Sequence, residues 1–172
     1  MIRLLNNLNI NVSQSDKNLI RIEFEETMFK DPPLLKTGVK ETLNNLSKKY
    51  EIGLISNTGI TPGRVIKKVL EKHDILKYFL FTLFSDETGY YKPSKKMFQT
   101  ALKEFNCKPQ NIIHVGDILE TDIRGAKECN MLTVWFNDSW ADKSNNIQPD
   151  YEIHLISEII DIIESLNKLK KF

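Results

Sequence analysis

Short apolar runs alternate with amphipathic stretches along most of this chain. The runs fall at residues 50–56, 79–84, 112–116, 131–136 and 151–155. Apolar segments of this length, bounded by turn residues, read as strands buried on both faces. The stretches between them carry helical spacing. In residues 38–49, Val39, Leu43 and Leu46 face inward, and Pro62 at a first helical position opens a helix running to about His73. Further helices are predicted over 94–105, about 121–129 and 157–170, with Asn130 suited to the left-handed position that ends the third of these. Strands alternating with helices imply an α/β fold, a three-layer Rossmann-like parallel sheet with helices on both faces. Repeats and low-complexity segments are absent from the sequence.

The first thirty residues differ in character, being polar and helical. Ser13 and the residues up to Asp16 can cap a helix on which Ile20, Phe24 and Met28 share one face. Asp31-Pro32-Pro33 stops it, because a residue before proline avoids helical geometry. The expected division is a helical appendage at 1–31 and the α/β unit at 32–172.

Bulk properties narrow the function classes. A length of 172 residues suits one domain with a small appendage, and 41% hydrophobic with 27% charged residues is ordinary for a soluble protein. A net charge of +1 gives no bias toward nucleic acid or a membrane. The basic end at Lys168, Lys170 and Lys171 reads as a solvated helix terminus. Cys107 and Cys129 lie far apart, which suggests neither a disulfide framework nor zinc, and a reducing cytoplasm is expected. The sequence shows neither a membrane span nor the apolar core of a signal peptide.

Candidate chemistry gathers at strand ends. The run Ile112 to Val115 ends in Gly116-Asp117, with Asp122 five residues further on. Ligands of open α/β sheets bind at the carboxyl ends of strands, and two carboxylates there suit Mg²⁺. Ser56 and Asn57 follow another strand, where a hydroxyl and an amide can meet an anionic oxygen or simply shape a turn. Lys92 precedes Pro93, which holds its backbone extended and directs a cation suited to phosphate. Each feature has a plain structural alternative; their order and spacing together are far more specific.

The runs 53–59, 84–94 and 114–126 resemble the second, third and fourth motifs of the haloacid dehalogenase-like (HAD) hydrolase superfamily, in a phosphatase-type branch. The resemblance covers roughly residues 32–155, and residues 1–30 resemble the tail of that family's small helical cap. It implies hydrolysis of a phosphate monoester of a small metabolite with Mg²⁺ as cofactor. An aspartate on the first strand attacks phosphorus, and a second aspartate two residues later serves as acid and base. It further implies that Ser56, with Asn57 beside it, binds the phosphoryl oxygens. Lys92 would stabilise charge, Asp117 would bind Mg²⁺ directly, and Asp122 would complete or orient that site.

One part of the pattern is missing. No apolar strand ending in Asp-x-Asp precedes Ser56; Asp16 lies in a polar stretch and Asp31 between a helix and two prolines. Asp86 follows an apolar run but falls between the second and third motifs, which makes it a decoy. In the family fold the missing strand lies between those ending at Ser56 and Gly116. Its omission leaves a gap of about twice the 4.7–4.9 Å strand spacing. Either the flanking strands close on each other or another segment fills the slot.

Three readings follow: a truncated hydrolase inactive alone, a subunit completed in trans by a peptide carrying the Asp-x-Asp strand, or a non-catalytic phosphate- or Mg²⁺-binding pseudoenzyme. The first is expected. The slot raises the prospect of self-association or of a complementing N-terminal segment. The segment 136–142, with Trp135 and Trp140, reads as a plain surface loop or as the border of a substrate entrance.

Overall fold

The computed structural model describes residues 13–59, 61–140 and 146–169. Helix α1 (Gln14–Lys30) starts where expected, with the Ser13 hydroxyl accepting the Asp16 N–H at 3.1 Å. It buries none of its residues, and Ile20 and Phe24 remain exposed. Polar contacts join it to α3 (Gly63–Lys72): Glu25 pairs with Arg64, and Lys72 Nζ donates to the Phe29 carbonyl at 2.9 Å. Pro62 precedes α3 by one residue, as its N-cap.

The main unit runs α2 (Val39–Leu46), β1 (Gly53–Ser56), α3, β2 (Phe81–Phe84), the single turn α4 (Ser85–Thr88) and α5 (Lys95–Phe105). It continues with β3 (Ile113–Gly116), a wide π turn (Leu119–Ile123), α6 (Arg124–Lys127), β4 (Leu132–Phe136), β5 (Tyr151–Ile153) and α7 (Ile159–Leu169). The helix expected over 121–129 is therefore shorter and begins as a π turn. The turn buries Leu119, Asp122 and Ile123, and the Asp122 N–H donates to the Ile118 carbonyl at 2.8 Å just ahead of it. Asn130 takes the left-handed conformation at φ 58°. The expectations for residues 1–12, 141–145 and 170–172 lie outside the described residues.

All pairing is parallel, as apolar strands linked by helices require. Pairing stops between β1 and β3, however. β1 pairs with β2, setting Gly53 opposite Phe81 and Ser56 opposite Phe84. β3, β4 and β5 form a second sheet in that order. Of the two outcomes expected for the slot, direct closure does not occur: among the described residues β1 and β3 share no pairing. Between them lies a cleft of about 800 Å³.

Cores lie on both faces. Phe98, Ala126, Cys129 and Met131 pack on one side, with Ile55 and Ile112 against them. Val134, Ile153 and Ile159 pack on the other, with Leu46, Ile113 and Val115. A Cβ on Gly125 would lie 2.3 Å from the Phe98 ring, so a larger residue would separate α6 from α5. Cys107 and Cys129 are free thiols, and no described helix is long and apolar enough to cross a membrane.

Candidate active site

The carboxyl ends of β1 and β3 are brought together through Lys92, which Asn57 grips and which faces Asp122. Ser56 is the last residue of β1 and Asn57 the next; Gly116 is the last of β3 and Asp117 the next. Gly116 is required there, since a Cβ on it would lie 2.3 Å from Asp122 Cβ. The chain therefore leaves β3 directly over the Asp122 side chain.

Asn57 works through Lys92. Its Oδ1 accepts the Lys92 N–H at 2.8 Å, and its Nδ2 donates to the Lys92 carbonyl at 3.0 Å. This reciprocal amide-to-backbone pair fixes the Lys92 backbone within the turn, and the Lys92–Pro93 peptide bond is cis. The lysine is thereby directed at Asp122, with Nζ 2.6 Å from Oδ1. Its side chain is only 14% exposed and that of Asp122 2%, so the charges face each other largely shielded from water.

Burial alone would raise the Asp122 carboxyl pKa. The neighbouring His114 ring, the Lys92 ammonium and the Ile118 N–H, which donates to Oδ2 at 3.1 Å, outweigh burial and hold it well below the usual carboxylate range. His114 Nε2 lies 3.8 Å from Oδ1, and its ring meets Phe98 edge-on at 5.3 Å between centroids. Neither His114 Nε2 nor Asp122 Oδ1 makes a hydrogen bond of acceptable geometry, although Lys92 closely approaches the latter. The buried centre is thus charge-paired yet keeps acceptor capacity unused.

The structure brings Asn57, Lys92 and Asp122 together by direct contact and places Ser56 and Asp117 at the two strand ends. Asp117 is exposed and lines the cleft. Two supports were missed from sequence. Trp135 is a core residue, 3% exposed, whose Nε1 donates to the Asp117 carbonyl at 2.9 Å and holds that loop from below. His114 faces Asp122 from inside β3. Inward alternation along an apolar strand was the available signal for both, but it does not distinguish a packed ring from a useful one. Trp140 is 72% exposed and stacks on His154, with centroids 3.5 Å apart.

The decoy resolves cleanly. Asp86 accepts the Gly63 N–H through both oxygens, at 3.2 and 3.1 Å, and so satisfies a backbone donor at the start of α3.

A Mg²⁺ ion would find a partial donor set. Among the described residues no cluster of three or more Asp, Glu, His or Cys gathers. Asp117 at the surface, with the Lys92-paired Asp122 carboxylate behind it, fits an ion that takes one or two carboxylates and fills its remaining positions with water and phosphate.

Comparison with known proteins places the chain among haloacid dehalogenase-like hydrolases. The glyceraldehyde 3-phosphate phosphatase of Pyrococcus furiosus is 35% identical over 132 residues, covering 76% of this chain and 54% of that protein. The ribulose-1,5-bisphosphate 5-phosphatase of Halopiger xanaduensis is 31% identical, covering 75% of this chain and 56% of that protein. The chain thus spans about half the length of these curated relatives. In fold, it superimposes on a HAD phosphatase from Thermococcus onnurineus with a TM-score of 0.73 at 23% identity, covering 92% of this chain and 68% of the other. Residues 2–136 match the haloacid dehalogenase-like hydrolase family, and the chain belongs to it.

Proposed function

We propose that these residues form the phosphate- and cation-binding half of a Mg²⁺-dependent phosphatase acting on small phosphorylated metabolites of the sugar-phosphate class, in a reducing cytoplasm. The carrying observation is the shielded Lys92–Asp122 pair, with Lys92 clamped by Asn57 and set behind the exposed Asp117. The phosphatase names of the relatives and the free thiols of this chain support the reading.

Phosphoryl transfer asks a protein chiefly for positioning and for charge placed where charge develops. Ser56 donates to a phosphoryl oxygen from the end of β1. Lys92 supplies the fixed cation and Asn57 sets its direction. Asp117, with Asp122 behind it, would hold Mg²⁺, which when bound would neutralise phosphate charge. Apart from Asp117, which this reading assigns to the cation, no carboxylate among the described residues directly follows a strand ending at this group, and the chain on its own is inactive.

Purified chain incubated with p-nitrophenyl phosphate and Mg²⁺ is expected to release no nitrophenolate. Calorimetry is expected to show Mg²⁺-dependent binding of vanadate that Lys92→Met abolishes. Turnover, or a phosphorylated aspartate trapped in this chain, would refute the inactivity. Absence of vanadate binding by the folded chain would refute the phosphate site.

A further inference from the structure

The loop that carries Asn57 is tied to the neighbouring strand through a side chain rather than through another backbone rung. Ser56 and Phe84 are the last register pair of β1 and β2. Beyond them, both carbonyls on the β2 side are drawn into the α4 turn. That of Phe84 accepts the Thr88 hydroxyl at 3.0 Å, and that of Ser85 accepts the Gly89 N–H at 3.1 Å. The Thr58 N–H, two residues past the end of β1, goes instead to the Ser85 hydroxyl at 3.0 Å, and the Thr58 hydroxyl lies 3.0 Å from the same oxygen. Thr58 is buried, so water replaces a lost acceptor poorly.

The Ser85 hydroxyl is not spent on its own turn. α4 has no side-chain cap, and it is Thr88 that accepts the Tyr90 N–H, at 3.2 Å. The next residue, Asp86, serves the Gly63 N–H at the start of α3. Two adjacent side chains therefore support different elements, and only Ser85 reaches the loop after β1.

Segment 85–92 thus holds that loop at two points. Asn57 grips the Lys92 backbone through its amide, and the peptide that leaves Asn57 is held by Ser85 through the Thr58 N–H. The amide alone would leave Asn57 free to turn about its own backbone. The second point fixes the peptide plane beside it, and with it the direction in which Asn57 presents its amide. Groups that bind a transferring phosphoryl depend on placement of this kind, because small displacements cost much of their effect.

We infer that Ser85 is a positioning residue of the phosphate site: its hydroxyl accepts the Thr58 N–H, fixes the Asn57–Thr58 peptide and so keeps Asn57 set to hold Lys92 toward Asp122. Ser85 acts through Thr58 and Asn57 rather than on the phosphoryl group. The inference rests on the phosphate site proposed above, whereas the contacts from Ser85 to Lys92 need no ligand and can be tested without one.

The test uses the full ¹⁵N-labelled chain and its Ser85→Ala, Ser85→Thr and Asp86→Ala variants. In Ser85→Ala without ligand, exchange of the Lys92 amide, which donates to Asn57, is expected to quicken at least about ten-fold. Vanadate binding in Mg²⁺ is expected to weaken about five-fold in the same variant, the worth of one hydrogen bond. Ser85→Thr restores the hydroxyl and is expected to keep both readouts within about two-fold of the unmutated chain, as is Asp86→Ala, which loosens the same turn elsewhere. Unchanged Lys92 exchange in Ser85→Ala would overturn the inference. So would a Ser85→Thr chain as impaired as Ser85→Ala, or equal quickening in Asp86→Ala, which would mark a general loosening of the turn. The unmutated chain supplies a check that needs no variant to fold: saturating vanadate is expected to slow exchange at Thr58 and Lys92 together, and slowing at Lys92 alone would overturn the link. Failure of the unmutated chain to bind vanadate would instead refute the phosphate site, with Lys92 exchange still deciding the Ser85 contact.

Discussion

Replacing Asp122 by asparagine removes one charge from a shielded pair while keeping its shape. Asparagine can still accept the Ile118 N–H through its oxygen, so the turn after β3 survives. Lys92 is left facing a neutral amide with its ammonium only 14% exposed. Breaking a buried pair by deleting one partner costs about 3–5 kcal/mol, and partial water access to Lys92 favours the lower end, about 3 kcal/mol. In a chain of this size each kcal/mol lowers Tm by roughly 2–4 °C, so a drop of about 6–12 °C is expected. Circular dichroism melts of Asp122→Asn, Lys92→Met and the double variant measure it. The double variant is expected to lose at least about 1 kcal/mol less than the two single losses combined. A loss under about 0.5 kcal/mol for Asp122→Asn, or strict additivity, would refute the coupling. The same pair sets an acid limit. Because the folded Asp122 carboxyl lies below its unfolded value near 4, its stabilisation is present above that value and is lost as the pH falls toward the folded one. The melting temperature of the native chain is expected to fall below about pH 4 more steeply than that of Asp122→Asn.

Two further outcomes follow from close contacts. Gly116→Ala sets a methyl 2.3 Å from Asp122 Cβ and is expected to cost about 1–3 kcal/mol in denaturant unfolding while weakening vanadate binding. Wild-type stability would show that the turn after β3 is slack. Asp86→Ala removes the acceptor for the Gly63 N–H and is expected to cost about 1 kcal/mol with vanadate binding unchanged. Loss of binding without loss of stability would return Asp86 to the site.

The strand and helix alternation was legible because parallel strands buried on both faces leave unbroken apolar runs, as at residues 112–115. Ser56 and Asp117 were legible by their position after such runs, and Lys92 by the proline that follows it. Contacts across long sequence separations were not. Nothing in the pattern reveals that Asn57 grips a backbone 35 residues away, or that Trp135 supports Asp117 from the next strand. The π turn was equally hidden, since the residues 119–123 carry the same apolar spacing as an ordinary helix start. The slot was foreseen as a consequence of a missing strand; that it remains open could be read only from the pairing.

The Asn57–Lys92–Asp122 relay has a mechanical consequence. It runs from the loop after β1 to the turn after β3, so it straps the two half-sheets together at one end while their flanks share no rungs. Loosening any member of the relay would therefore let the phosphate-facing strand ends drift out of register, even while the Tyr50–Asn167 contact still joins the two halves at the other end.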